Sequence, residues 1–294
     1  MNTLWSDFIQ TTDELNESRD LRFNDSNRSL WINAIGAHSG IKALEVGCGG
    51  GIFCLKLKKY LPDISITGID IDDGHIERAK QLAKDNSIDC DFTAGDIAAL
   101  PFPNESFDLS YSHTVAEHIP HDVFFKQQYR ILKKGGQISV LSVRTKSNIT
   151  AGIERSDEEL ELFEKAWKNA SATIIDDSFV GKYEMSEHEY PRELEKYGFK
   201  NIKVNVFTVI DYAPDSSDID DATALKQINC RRNGDLSSVR KILNRKKDAL
   251  APDELKRLCE LINSRYDERI AKYRRNEKLW DFSTSTILAV NAQK

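Results

Sequence analysis

Between residues 41 and 143, short β-branched runs alternate with amphipathic stretches, and no other feature constrains the fold as strongly. Ile41–Val46, Ile64–Ile69, Cys90–Thr93, Phe107–Ser112 and Gln137–Val143 read as strands. Between them, Ile52–Leu61 places Ile52, Leu55, Leu57 and Leu61 on one helical face, and 74–86 and 122–132 read as two further helices. Successive strand–helix–strand units close as right-handed parallel crossovers, so a doubly wound α/β fold is expected. Ligands of such sheets bind beyond the carboxyl ends of the strands, which makes the residues just after each strand the ones to inspect.

Past residue 150 the rhythm changes. Ser156 stands three residues before Glu159, a capping-box spacing, and opens a helix through Ala170 with Leu160, Phe163 and Trp167 on one face. Residues 185–197 read as a helix stopped by Gly198, 202–210 as a strand and 284–291 as the last strand. Between those two strands lies a helical insertion in which Pro252 takes a first-turn position. Leu255, Leu258, Ile262, Tyr266, Ile270 and Tyr273 follow it at helical spacing. The expected organisation is one domain, 1–294. It comprises a helical N-terminal extension (1–40), a core (41–145), a helical cap region (150–197), the insertion (213–282) and the last strand (283–294).

Charge narrows the function classes. The chain carries 41 Lys or Arg against 47 Asp or Glu, a net −6 that argues against an obligate nucleic-acid binder. The distribution is uneven: 226–278 holds 16 basic and 8 acidic residues, or +8, leaving 25 against 39, or −14, elsewhere. No apolar run approaches the ~18 residues of a membrane span, and the acidic start is unlike a secretory signal, so a soluble cytoplasmic protein is expected. Five cysteines form no CxxC pair and fit reduced thiols, and six histidines show no HExxH or other paired ligand spacing, so no metal is expected.

The chemistry concentrates after the first strands. Glu45-Val-Gly47-Cys-Gly49-Gly-Gly51 sits between a strand and a helix, where glycines permit tight turning and free N–H groups start the helix. It is not GxGxxG, because Ile52 occupies the sixth position counted from Gly47. Asp70, 19 residues past Gly51, ends the second strand and is placed to accept both hydroxyls of a ribose. After the third strand comes Gly95-Asp96-Ile97, where Asp96 can accept from the amine of an adenine and Ile97 can lie on its ring.

These residues, as an ordered set, resemble the class I S-adenosylmethionine-dependent methyltransferases, within them the small-molecule group typified by ubiquinone and menaquinone biosynthesis enzymes. The resemblance runs over about 28–145 and rests on ALEVGCGGG (43–51), TGIDID (67–72), GDIAALPFPNESFDLSYSHTVAEHI (95–119) and ILKKGGQISVLSV (131–143). It implies a Rossmann-like, mostly parallel seven-stranded sheet with an antiparallel last strand, and S-adenosyl-L-methionine as cofactor. By resemblance, Gly47, Cys48, Gly49 and Gly51 lie beside the donor's methionine part and Glu45 supports their turn. Asp70 and Ile71 then hold the ribose and its surroundings, and Gly95, Asp96 and Ile97 the adenine.

Ser112 and His113, at the end of the fourth strand, border the donor in the same scheme. His113 is expected at the mouth of the cleft, as general base or as a residue whose backbone lines the donor. Glu117-His118, one turn on, orients that segment. In the N-terminal extension Arg22, anchored by Leu21 and Phe23, is the candidate for gripping the donor's carboxylate.

The expected reaction is transfer of a methyl group to a small-molecule acceptor by in-line displacement. One alternative is an RNA methyltransferase using the basic insertion, although SHTV stands where a base-flipping motif would, with few aromatics among the basic residues. The other is a non-catalytic donor-binding module that docks a partner through the Leu255–Tyr273 stripe.

Overall fold

The strands are apolar on both faces because helices cover both, and the computed structural model shows how. It describes residues 11–152, 154–171 and 181–294, so expectations falling on 1–10, 153 and 172–180, in the N-terminal extension and cap region, lie outside the described residues. β1 (Lys42–Val46), β2 (Ser65–Asp70), β3 (Asp91–Ala94), β4 (Phe107–His113) and β5 (Leu132–Val143) run parallel in the order β3-β2-β1-β4-β5. β6 is a two-residue strand, Thr150–Ala151, followed by β7 (Lys200–Tyr212) and β8 (Phe282–Gln293). β8 enters antiparallel between β5 and β7, as expected for the last strand.

The helices are α1 (Thr12–Arg22), α2 (Arg28–Ile35), α3 (Ile52–Tyr60), α4 (Asp73–Asp85), α5 (His121–Ile131), α6 (Asp157–Ser171), α7 (Glu189–Lys196), α8 (Asp221–Arg245) and α9 (Pro252–Arg274). α7 starts later than the sequence pattern suggests, because Glu189 accepts the Ser186 amide (2.7 Å) in a turn ahead of it. Gly135 and Gly136 form an irregularity within β5, which starts earlier than expected: Phe107 pairs with Leu132 but Leu109 with Gln137.

Two cores flank the sheet. Phe23, Trp31, Phe53, Leu57 and Tyr111 fill one side, and Phe107, Phe124, Phe125, Tyr190 and Leu194 the other. A third cluster joins α6, α8 and α9, where Leu258, Ile262 and Tyr266 pack on Ala166, Ala170, Ile228 and Val239. The α9 stripe is thus consumed within the chain. Helix–helix contacts of this kind contribute roughly 2 kcal/mol per fully buried Leu or Ile.

The basic charge of the insertion is largely matched by acids outside 226–278. Arg257 binds Glu158 through two bonds (2.7 and 2.6 Å), and Arg265 binds Glu159 the same way (2.9 and 2.8 Å). Lys226 pairs with Asp20 and Arg240 with Glu14, both acids on α1. From the opposite side α1 is held by Lys56 on α3 (2.5 Å to Asp20) and Arg78 on α4 (3.0 Å to Asp13).

The insertion is pinned to the sheet by a buried arginine. Arg269 on α9 bonds Asp281 (2.7 Å) and Asp215 (2.9 Å), and Tyr212 donates to Asp281 (2.6 Å). Removing one partner of such a group leaves a charge uncompensated, a loss of about 3–5 kcal/mol. Asp281→Ala is therefore expected to lower the urea-unfolding free energy by about that amount; a loss below ~1 kcal/mol would mean that Arg269 is rehydrated at little cost.

Candidate active site

The turn from β1 into α3 is made by Gly47, Gly49 and Gly51, whose φ angles are +69°, +53° and +79°, a region that only glycine occupies freely. The end of β2 holds the turn in place: Ile69 O accepts from the amides of Gly47 (2.8 Å) and Cys48 (3.0 Å). Asp70 adds its side chain, with Oδ2 accepting from Gly49 N (2.8 Å) and Oδ1 from Asp72 N (3.0 Å). The neighbouring His75 on α4 is 3% exposed, with Nδ1 3.5 Å from Asp70 Oδ1.

α1 lies directly on this turn. Its start is fixed by a capping box between Thr11 and Glu14, and Leu15, Arg19 and Phe23 then follow at i, i+4 and i+8 on the inward face. A Cβ on Gly49 would stand 2.6 Å from Leu15, and the Asn16 amide donates to Gly50 O (3.4 Å). Arg19, 5% exposed, donates to His113 O (3.4 Å) and Thr114 Oγ1 (3.5 Å). Thr114, the first residue after β4, has φ +54°, a strained conformation for a β-branched residue that often marks functional sites.

Around the turn, buried polar atoms accumulate without hydrogen-bond partners among the described residues. They are Asn16 Oδ1, Arg19 Nε and Nη1, Glu45 Oε1, both His75 nitrogens, Ser112 Oγ, both His113 nitrogens and Glu117 Oε2. Folded proteins leave few such groups, so their concentration at one place marks a site for a polar ligand.

Burial also sets the charge states. It pushes the Glu117 and Glu45 carboxyls up to about 7, against the pull of Arg144 on the first and of Cys54 and Arg19 on the second. Burial, reinforced by Arg22 and Arg19, drives the His113 imidazole well below its usual range, so it is neutral near pH 7. The same desolvation lowers Arg19, opposed chiefly by Glu45 and Asp70, and raises the Cys48 thiol well above the range of a reactive thiolate.

Several sequence expectations need correction. His113 is not exposed at a cleft mouth: its ring is 1% exposed and meets Phe23 edge-on at 5.0 Å between centroids, because α1 closes over it. Arg22 does not face the turn. It lies on the next turn of α1, lining a cavity with Asp211 and acting on His113, whereas Arg19, absent from the expectations, has Nη1 3.8 Å from where a Gly49 Cβ would stand. Helix phase alone does not separate the two, since Arg22, seven residues after Leu15, shares the face of Leu15 and Arg19. Glu45 bonds Cys54 (2.9 Å) and Tyr111 (3.2 Å), so the carboxylate bracing the turn is Asp70. Ile97 is buried with Ile69 and Leu100, whereas Ile71 is 49% exposed.

The remaining expected residues sit as follows. Asp96 caps the short turn after β3 through Ala98 N (2.8 Å), and the Gly95 amide donates to Asp70 O (2.9 Å). Ser112 is buried on β4, and Cys48 is buried with its thiol directed to Gly49 O (3.6 Å). Among the described residues no group of three or more His, Cys, Asp or Glu could hold a metal ion, and no helix is long and apolar enough to cross a membrane.

Glycine turn, acidic end of β2 and inserted antiparallel strand together define a class I S-adenosylmethionine-dependent methyltransferase fold. A family model described as a methyltransferase domain matches residues 44–140. The chain is 33% identical over 109 residues to sterol 24-C-methyltransferase erg6 of Aspergillus fumigatus, covering 36% of this chain and 29% of that protein. It is 30% identical over 112 residues to the ubiquinone biosynthesis O-methyltransferase of Brucella anthropi, covering 38% and 44%. The aligned part thus spans less than half of either relative. Phosphoethanolamine N-methyltransferase 2 of Haemonchus contortus, solved with S-adenosyl-L-methionine, superposes with a TM-score of 0.52 at 17% identity, covering 99% of this chain and 59% of that one.

Residues 44–140 thus match a methyltransferase domain, and the likeness is to class I enzymes whose cofactor is S-adenosylmethionine. The site fits that molecule. Unpartnered donors on Arg19 and acceptors on Asn16 and Glu117 match a zwitterionic amino-acid end, and the turn needs glycines for a close backbone approach.

Burying Glu117 gives a pH signature with a definite sign. Its folded pKa of about 7 exceeds the unfolded value of 4.5, so its contribution favours folding at low pH and is lost as pH rises through about 7. The ligand-free protein is expected to lose Tm between about pH 5 and pH 8, and Glu117→Gln to lose less of it. Identical slopes would show that Glu117 is hydrated.

Proposed function

We propose that this chain transfers a methyl group from S-adenosylmethionine to a small-molecule acceptor by in-line displacement at the carboxyl ends of β1 and β4. The observation that carries this reading is the cluster of buried, unpartnered polar atoms surrounding a glycine turn already braced by Asp70. The donor supplies a methyl group on a cationic sulfur, electrophilic without further activation. The protein's task is then to orient the reactants and exclude water, which is worth up to ~7–11 kcal/mol of the barrier.

Arg19 grips the donor's carboxylate, while Glu117 and the carbonyls at the end of β4 face its ammonium. Asp70 holds the ribose, Asp96 the adenine amine, and Ile71 offers the apolar surface beside them. α1 seals the site from water through Leu15 and Asn16. His113 is the candidate general base. Its imidazole is neutral, the form that accepts a proton, but the two neighbouring guanidinium groups weaken it. Its contribution therefore belongs near the low end of the usual range, roughly 10²-fold.

A small acceptor, not RNA, is supported by the insertion's ion pairs with Asp20, Glu14, Glu158 and Glu159, which draw Lys226, Arg240, Arg257 and Arg265 onto the chain's own acids. A docking role for the α9 stripe is opposed by its burial on α6 and α8. Five free cysteines favour work in a reducing compartment such as the cytoplasm.

Calorimetry with S-adenosylhomocysteine tests the donor assignment. Arg19→Met and Asp70→Ala should each weaken binding roughly 10- to 100-fold, the worth of a charge-assisted hydrogen bond, while Arg22→Met changes it less than about threefold. Unchanged affinity in Asp70→Ala, or a larger loss in Arg22→Met than in Arg19→Met, sinks it. Labelled donor incubated with metabolite extracts would reveal the acceptor. With that acceptor His113→Ala should lower kcat about 10²-fold at nearly unchanged donor affinity; an equal fall in both would make His113 a binding wall only.

A further inference from the structure

Between the flank of α1 that meets α8 and the middle of α8, floored by the end of β7 and the start of β8, lies a cavity of about 320 Å3, the size of a small-ligand site. Its carboxylates are already engaged. Glu14 pairs with Arg240, Asp235 with Arg155 (3.0 Å) and Arg265 (2.8 Å), and Glu17 accepts the Asn233 amide (3.2 Å). Both oxygens of Asp211 accept hydroxyls, from Ser283 (2.6 Å) and Ser285 (2.5 Å).

Its cations are not so engaged. Among the described residues Arg22, Arg231 and Lys241 have no carboxylate within ion-pair distance. Arg22 keeps a buried Nε without a hydrogen-bond partner. Arg231 donates only to Ser283 Oγ (2.6 Å) and lies over the Tyr212 ring at 5.4 Å. Among the described residues Lys241 makes no hydrogen bond, and burial lowers its pKa against the pull of Glu14.

We propose that this cavity binds the methyl acceptor, and that the acceptor is a small molecule bearing an oxyanion, a carboxylate or a phosphate, held by Arg22, Arg231 and Lys241. The naming of the ligand as acceptor rests on the transferase reading above. Position supports it, because Arg22 follows Arg19 by one turn of α1 and the His113 ring feels both guanidinium groups. An apolar sterol-sized acceptor is disfavoured here, since it would strip water from three cations without replacing it.

Calorimetric titration of inorganic phosphate and, separately, succinate into the full chain loaded with S-adenosylhomocysteine tests this, with ionic strength held constant by sodium chloride. Saturable binding of either anion is expected, weakened roughly tenfold or more in Arg231→Met and in Lys241→Met at unchanged S-adenosylhomocysteine affinity. Which anion binds distinguishes the phosphate from the carboxylate. No saturable binding to the wild type, or equal affinity in Lys241→Met, overturns the proposal; Lys241 supports no bond within the fold, so that variant separates binding from folding. Loss of donor-product binding by the wild type would instead overturn the transferase reading, and the same titration of the ligand-free chain would still read the cavity.

Discussion

Taking a guanidinium out of water costs several kcal/mol unless hydrogen bonds and opposite charge replace its hydration. Arg19 is 5% exposed, has two nitrogens unpartnered and meets no carboxylate directly; Glu45, Asp70 and Glu117 act on it only through space. That cost must be met by the way α1 is held. Lys56 and Arg78 grip it from the sheet side, Lys226 and Arg240 from α8, and Phe23 stacks on Phe53 at 3.9 Å between ring centroids. The architecture outside the sheet thus serves to press one cation against a glycine turn.

Much of the core was legible in the sequence for a simple reason. β1 to β5 are buried on both faces, so their apolar runs carry no competing surface pattern, and the turn between β1 and α3 depends on backbone conformations that glycine alone declares. The place of Asp70 was legible because it ends β2; its bonds to the Gly49 and Asp72 amides were not. Ile97 and Glu45 were misread because a residue's position after or within a strand does not say which way its side chain turns. Ile97 turned into the core beside Leu100, and Glu45 toward Tyr111.

Arg19 and Arg22 show the limit more sharply. They lie three residues apart on one face of α1, and only partners far along the chain separate them: Gly49 and the His113 carbonyl for one, Asp211 for the other. Charge behaved likewise. The +8 segment and the −14 remainder looked like a patch awaiting a polyanion, yet each is largely the other's counter-ion, and that pairing appears only when α8 and α9 are seen lying on α1 and α6.

α8 touches two things at once. Its Lys226 and Arg240 hold α1 down over the glycine turn, while Arg231 and Lys241, on the same helix, face the cavity along α1's flank. A molecule bridging α1 and α8 there draws together the same two helices whose closure confines the donor.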